Sequence, residues 1–202
     1  MHRLTRIRIA PIKNAQIRWF IKRYQVDMQD ANESRPEKYA DFNHFFTRSL
    51  KPNARPLSTE LEALVSPADG LLSIAGTIDN GTLLQAKGQT YNLDTLVAKD
   101  ERLRALFDGG SYANIYLAPG DYHRVHSPAA ATLIRTIYVP GQLWSVKPRT
   151  VAKVPSIFAR NERIIFELST ARGPIVMIMV GAVFVSSIST MWDDPLPKPK
   201  RQ

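Results

Sequence analysis

The chain is expected to fold as an α+β protein in which amphipathic helices come first and a mainly antiparallel, β-rich body follows. Three observations lead there. Near the front, Ile17, Phe20, Ile21 and Tyr24 fall at i, i+3, i+4 and i+7, one face of a helix. From residue 71 onward, short runs rich in Val, Ile, Leu and Tyr alternate with Gly, Pro and Asn turns, the punctuation of strands. At 202 residues and 44% hydrophobic composition, the chain can build one domain with a real core.

Taken in order, a first helix is expected over 12–26, with Pro11 suited to its opening turn. A second follows over 37–50 and a third over 93–107, opening at an Asn92 cap and capped again at Asp100. Strands are expected over 71–78, 82–87, 112–117, 132–139, 143–147, 163–169 and 175–189. Asn80-Gly81 between the first two is a tight-hairpin signal. The apolar run Ile175 to Val185 is interrupted by Gly181 and falls short of the ~20 residues a membrane span needs. It is expected as a buried strand, with Gly181 marking a bulge or a close approach. A single domain is therefore expected: a helical, membrane-facing region over 1–50, a β-rich body over 51–192, and an extended Pro/Lys tail over 193–202.

The formal charge of +9 calls for an anionic partner. Its distribution favours a lipid surface over nucleic acid. No acid precedes Asp27, whereas Arg3, Arg6, Arg8, Lys13, Arg18, Lys22 and Arg23 all do, interleaved with aliphatic and aromatic residues. That is the profile of an interfacial helix, set against the alternative that the Ile17-Phe20-Ile21-Tyr24 stripe packs on the protein's own core. No RNA-recognition, zinc-finger or P-loop signature supports nucleic acid. Zero cysteines exclude disulfides and thiol catalysis.

Two segments carry chemistry: Ser66-Pro67-Ala68-Asp69-Gly70, and Pro119-Gly120-Asp121-Tyr122-His123-Arg124-Val125-His126-Ser127-Pro128. A carboxylate bonded to an imidazole fixes its tautomer and readies it to take a proton from a hydroxyl nucleophile. Asp69 or Asp121 could serve His123 or His126 in this way. The plain alternative is that these histidines are satisfied by loop carbonyls. A metal site ranks lower, because His2 and His44 lie far off and no zinc spacing is present.

Several co-linear segments together resemble one family. Pro67-Ala68-Asp69-Gly70, Leu84-Gln85-Ala86-Lys87-Gly88, Asp121-Tyr122-His123-Arg124-Val125-His126, Tyr138-Val139-Pro140-Gly141 and Phe158-Ala159-Arg160-Asn161-Glu162-Arg163 stand in the order of bacterial phosphatidylserine decarboxylase. Tyr24 to Asp30 and Phe42-Asn43-His44-Phe45-Phe46-Thr47-Arg48 are similar to the same family's opening region, so the resemblance runs from about Trp19 to Trp192. It implies a zymogen that makes its own cofactor. An Asp/His pair activates the serine of a Leu-Gly-Ser-Thr segment, which cleaves the chain and becomes a pyruvoyl group on a separate α chain. That group condenses with the amine of phosphatidylserine and draws off electrons as carbon dioxide leaves. By resemblance, Asp69 and His126 are the self-cleavage pair and His123 serves decarboxylation through proton donation. The same resemblance implies phosphatidylserine, an anionic membrane surface and the pyruvoyl-bearing α chain as partners, at the cytoplasmic face of a bacterial cell membrane; a homodimer is left open.

No Leu-Gly-Ser-Thr occurs in the 202 residues. The look-alikes are weak: Gly110-Ser111 lacks the flanking Leu and Thr, and Ser186-Ser187-Ile188-Ser189-Thr190 has no glycine directly before a serine. The chain is therefore expected to be the upstream β-chain portion of such an enzyme and inactive alone, with a catalytically silent membrane-surface lipid-binding domain as the alternative. A metal-dependent hydrolase is a third class. Within Phe158 to Arg163, Arg160 or Arg163 could meet a substrate phosphate or carboxylate, against the simpler expectation of a surface turn with local ion pairs. Phe42, Phe45 and Phe46 are expected in the core.

Overall fold

A computed structural model describes residues 4–60, 63–84, 90–183, 185 and 188–192. Helices α1 (Ala10–Tyr24), α2 (Phe42–Phe46), α3 (Leu93–Leu96), α4 (Glu101–Phe107), α5 (Pro148–Val151) and α6 (Ile157–Arg160) accompany strands β1 (Leu71–Thr77), β2 (Thr82–Leu84), β3 (Thr90–Asn92), β4 (Ser111–Tyr116), β5 (Thr132–Val139), β6 (Arg163–Thr170) and β7 (Gly173–Val180). The fold is α+β, with helices first along the chain and a β-rich part following in sequence. The residues fall into two compact units, Met1–Leu71 with Ile115–Ala129, and Leu72–Asn114 with Ala130–Gln202.

In the first unit, α1 opens with Pro11 in its first turn and ends at Gln25, whose left-handed backbone turns its amide onto the Ile21 carbonyl. Ile17 and Phe20 are buried. The apolar stripe therefore belongs to the protein's own core, which corrects the expectation that it faces a membrane. Phe20 lies edge-on to Phe42, Phe45 and Phe46, with ring centroids 5.0, 6.0 and 5.9 Å away. Each fully buried aromatic or aliphatic side chain here contributes about 1.5–3 kcal/mol. The outward apolar residues near α1 are Ile9, Ile12 and Trp19.

The expected 37–50 helix is only five residues long. Pro36–Lys38 forms a separate 3-10 turn, Tyr39 is extended, and the Asp41 carboxylate caps α2 by accepting from the His44 amide. Leu50 then bridges to Ala31. Helix 93–107 likewise divides. Asn92 caps α3 through the Thr95 amide and Asp100 caps α4 through the Leu103 amide, while Ala98 and Lys99 between them both have φ of 61°.

In the second unit, β5-β6-β7 form an antiparallel sheet with β6 at its centre. With period two, Ile164, Phe166 and Leu168 point to one face and Arg163, Ile165 and Glu167 to the other. The Ile165 face joins a core with Tyr91, Leu96, Leu103 and Ile157. Glu167, 4% exposed, is held by Arg102 and by Arg135 Nε at 2.7 Å, and Arg135 also reaches Asp100. A buried carboxylate is tolerated because both guanidiniums hold it ionised.

The Asn80-Gly81 hairpin forms as expected. Asp79 and Thr82 exchange backbone hydrogen bonds, and the two loop residues have φ of 47° and 69°, as a type I′ turn requires. The final strand stops at Val180, not 189. Gly181 donates to the Glu162 carbonyl, and a side chain there would lie 3.0 Å from the Val185 carbonyl, so the close approach is real. The expected strand 143–147 does not form: Asn161 donates to the Trp144 carbonyl and accepts from its amide, taking the ladder's place. Helices α5 and α6 and strand β3 occupy stretches with no expected element. Residues 85–87 of the second expected strand, most of the Leu84–Gly88 motif, Ser186-Ser187 and the 193–202 tail lie outside the described residues.

Candidate active site

Both chemistry-bearing segments lie in the first unit, side by side. The Val65 amide donates to the Pro128 carbonyl and the His126 amide to the Pro67 carbonyl, at 2.9 and 2.8 Å. Gly70, at φ 129°, packs so closely that a Cβ would lie 2.4 Å from the Tyr116 carbonyl oxygen. The chain is thus forced through a turn immediately after Asp69.

The Asp69 carboxylate is gripped by Arg55, Nε to Oδ1 at 2.8 Å and Nη2 to Oδ2 at 2.7 Å. Arg55 also reaches Asp30 at 2.7 Å. The fork on Arg55 holds the Asp69 pKa below the usual carboxylate range, with smaller contributions from the charges of Arg48 and His126. Asp69 and His126 are therefore brought within electrostatic reach of one another, but both carboxylate oxygens are engaged by Arg55.

His126 is exposed, and its Nε2 lies 3.0 Å from the Tyr122 hydroxyl with the two rings stacked. His123 is set differently. Its Nδ1 donates to the Asp121 carbonyl at 2.8 Å, so the neutral ring carries its proton there and Nε2 holds the lone pair. The ring lies on Phe46 at a centroid distance of 3.9 Å. Desolvation pushes its pKa below the ordinary histidine value, opposed by the Asp121 carbonyl. The Asp121 carboxylate does not orient either imidazole: Oδ2 accepts from the Ala118 amide at 2.6 Å and shapes the turn. Of the open pairings, Asp69 with His126 and Asp121 with His123 keep a carboxylate within electrostatic reach of an imidazole, and neither has a carboxylate–imidazole hydrogen bond among the described residues.

Beside this array lies a cleft of about 270 Å³, lined by Tyr24, Asp27, Asp30, Arg48, Arg55, Asp69, Asp121 and Tyr122 among others. Arg48, Arg55 and Tyr122 carry no role in the sequence reading. Arg48 and Tyr122 sit inside segments with a recognisable pattern, whereas Arg55 lies in a Pro-rich loop where nothing marks it.

Arg163 is buried and donates to the carbonyls of Leu96, Thr95, Ala159 and Asn161. It is structural, and no surface turn forms around it. Arg160 is exposed and lies over the Trp144 ring at 5.8 Å. Phe42, Phe45 and Phe46 are core, as expected. Gly110-Ser111 is a turn into β4: the Gly110 amide donates to the Phe107 carbonyl. Among the described residues, no group of three or more His, Asp or Glu side chains is placed to hold a metal ion.

A family model described as phosphatidylserine decarboxylase matches residues 42–200, and a second, described as PSD, matches residues 1–25. Among curated proteins, the chain is 48% identical over all 202 residues to a phosphatidylserine decarboxylase proenzyme of Bordetella pertussis, covering 68% of that protein. It is 48% identical over 190 residues (94% of the chain) to the proenzyme of Pseudomonas aeruginosa strain LESB58, covering 66% of it. For Shewanella baltica strain OS155 the figures are 47% over 188 residues (93% of the chain) and 64% of that proenzyme. The likeness thus reaches beyond the Trp19 and Trp192 limits set by the motifs.

Proposed function

The chain belongs to the phosphatidylserine decarboxylase family, and on that premise we propose that it supplies the acid–base side of a pyruvoyl-dependent conversion of phosphatidylserine to phosphatidylethanolamine and carbon dioxide. The serine that would become the pyruvoyl group is proposed to come from a segment these 202 residues do not contain. The observation that carries this reading is the single array Arg55–Asp69, His126–Tyr122 and His123–Phe46, assembled in one unit from both chemistry-bearing segments.

When bound, a pyruvoyl group supplies an electron-withdrawing ketone that can take up charge released from the substrate. The donor set fits it: an exposed imidazole beside an ionised carboxylate, and a half-buried imidazole with one nitrogen uncommitted. His126 and Asp69 would stand nearest it. His126 would take the proton of the serine hydroxyl during self-cleavage, with Asp69 stabilising the imidazolium so formed. His123 holds its own proton at Nδ1 against the Asp121 carbonyl, so a proton moves to or from substrate at Nε2. Its half-buried, Phe46-covered setting keeps water from competing for that nitrogen.

The test is to join the chain to, or co-express it with, a segment bearing Leu-Gly-Ser-Thr. Mass spectrometry should then find a new fragment with a pyruvoyl terminus, together with carbon dioxide release from phosphatidylserine. The 202-residue chain alone should give neither. Release of carbon dioxide by the chain alone, or no cleavage in the joined form, contradicts the reading.

Peripheral attachment to the cytoplasmic face of a bacterial membrane is proposed on a different face from that expected. Ile12 and Trp19 are i and i+7 on α1, with Ile9 one turn earlier, and are 49%, 60% and 59% exposed. Lys22 and Arg23 are exposed beside them. No helix among the described residues is long and apolar enough to cross a membrane. Replacing both Ile12 and Trp19 with Asp should weaken sedimentation with phosphatidylserine-containing vesicles by about tenfold or more. Unchanged sedimentation would count against this face.

A further inference from the structure

Arg48 is the most anomalous charge in the first unit. Its residue is 4% exposed, yet it forms no ion pair with a carboxylate among the described residues. Its Nε has no hydrogen-bond partner, and Nη2 reaches only the Gly120 and Asp121 carbonyls, at 3.3 and 3.5 Å. The Phe45 ring lies 5.6 Å from the guanidinium carbon. Contacts this long and neutral do not compensate a desolvated charge, and burial pushes the guanidinium pKa down accordingly. A second observation gives that charge a purpose. Arg48 lines the 270 Å³ cleft beside Asp69, and its charge is felt at His123.

We propose that Arg48 binds the phosphodiester of an amine-bearing phospholipid headgroup in this cleft, and so acts as the phosphate-reading residue of the enzyme. The substrate class rests on the family reading above. The cleft is just below the usual small-ligand range of about 300–1,000 Å³, which suits a headgroup and not a whole lipid. Its charge pattern excludes a bare anion. Arg55 shares its single charge between Asp69 and Asp30, whereas Asp27 and Asp121 accept only backbone amides and form no ion pair among the described residues. A ligand that brings a phosphate to Arg48 and an ammonium toward these two carboxylates satisfies both signs at once.

The phosphate is preferred over the substrate carboxylate on energetic grounds. A guanidinium clamped on the carboxylate would stabilise the ground state and lose its partner as carbon dioxide departs, which raises the barrier. The phosphate keeps its charge from substrate to product, so its contact costs the chemical step nothing.

Calorimetric titration of the 202-residue chain with four probes separates the cases. Glycerophosphoserine and glycerophosphoethanolamine should bind within about threefold of each other, because both carry the phosphate and the ammonium. Serine, which lacks the phosphate, and inorganic phosphate, which lacks the ammonium, should each bind about tenfold or more weaker. Arg48→Met should weaken both glycerophospho probes by about tenfold or more, and Arg48→Lys by less, since an ammonium keeps the charge although it cannot reproduce the fork. Serine binding as tightly as glycerophosphoserine, inorganic phosphate matching glycerophosphoethanolamine, or no binding by any probe would each overturn the proposal. The probe series on the unaltered chain decides the matter even where Arg48→Met fails to fold by circular dichroism. Carbon dioxide release after joining the serine-bearing segment is read separately, so the family reading can stand while phosphate recognition fails, and the reverse.

Discussion

In a chain joined to a Leu-Gly-Ser-Thr segment, His126→Ala should stop maturation altogether, while His123→Ala should mature normally and then release carbon dioxide about 10²–10⁴-fold more slowly. The two imidazoles differ by three residues in sequence but by nearly everything in setting. His126 is exposed, bonded at Nε2 to a hydroxyl, and within the field of Asp69. That setting suits the base proposed to approach a backbone-borne serine. His123 is locked at Nδ1 by a carbonyl and covered by Phe46. That is the environment of a group that exchanges one proton, at one nitrogen, with a bound substrate. Intact-mass measurement separates the two defects, because an uncleaved chain and a cleaved, slow one differ in the number of polypeptides. Normal maturation of the His126 variant, or an uncleaved His123 variant, would overturn the assignment of roles.

Asp69 adds a condition to this. Its two oxygens are both taken by Arg55, and the Nε2 of His126 is taken by Tyr122. A relay between Asp69 and His126 therefore requires the carboxylate to share a lone pair that Arg55 does not occupy, which an ionised carboxylate has available. Arg55 keeps Asp69 ionised and Tyr122 keeps the imidazole near it. These residues position the pair; they do not touch the reacting atoms.

How much of this could be read from residues alone depended on how local the cause is. The Asn80-Gly81 turn and the Asn92 and Asp100 caps came out as expected, because each is decided by two to four neighbouring residues. Strands β5 and β6 were legible because β-branched and aromatic runs end at Gly or Asn. The 143–147 stretch looked like a strand for the same reason and is not one, since a side chain seventeen residues away supplies its hydrogen bonds. The stripe on α1 was visible as a stripe, but which surface covered it depended on α2, and periodicity alone does not distinguish a lipid from a phenylalanine cluster. Asp69, His123 and His126 were singled out through their motifs and the family resemblance. Arg55, which decides the state of Asp69, was not, because its effect arises from contacts fourteen and twenty-five residues distant.

Arg163 illustrates the same limit with the largest consequence for stability. Replacing it with Met keeps much of the volume and removes every donor, which strips the carbonyls of Leu96, Ala159 and Asn161 of this partner, while the exposed Thr95 carbonyl keeps the Ala98 amide. Each unsatisfied buried acceptor costs about 1–3 kcal/mol. The loss of the buried cation and its desolvation offsets part of this, leaving an expected destabilisation of about 3–5 kcal/mol, a large share of the roughly 5–15 kcal/mol that holds a typical domain together. Thermal melting followed by circular dichroism should fall by on the order of 10 °C. Arg163→Lys should recover only part of this, because one ammonium cannot span carbonyls on α3, on α6 and at Asn161, which ends α6, as a planar fork does. Arg160→Ala is the internal contrast. That guanidinium is exposed and rests on Trp144, an interaction worth about 0.5–1 kcal/mol, so its melting point should barely move. If Arg163→Met melted with the unaltered chain, or if the Arg160 variant fell as far as the Arg163 variant, the second unit would not be organised around this side chain. The option that Arg160 or Arg163 meets a substrate phosphate or carboxylate would then have to be reopened.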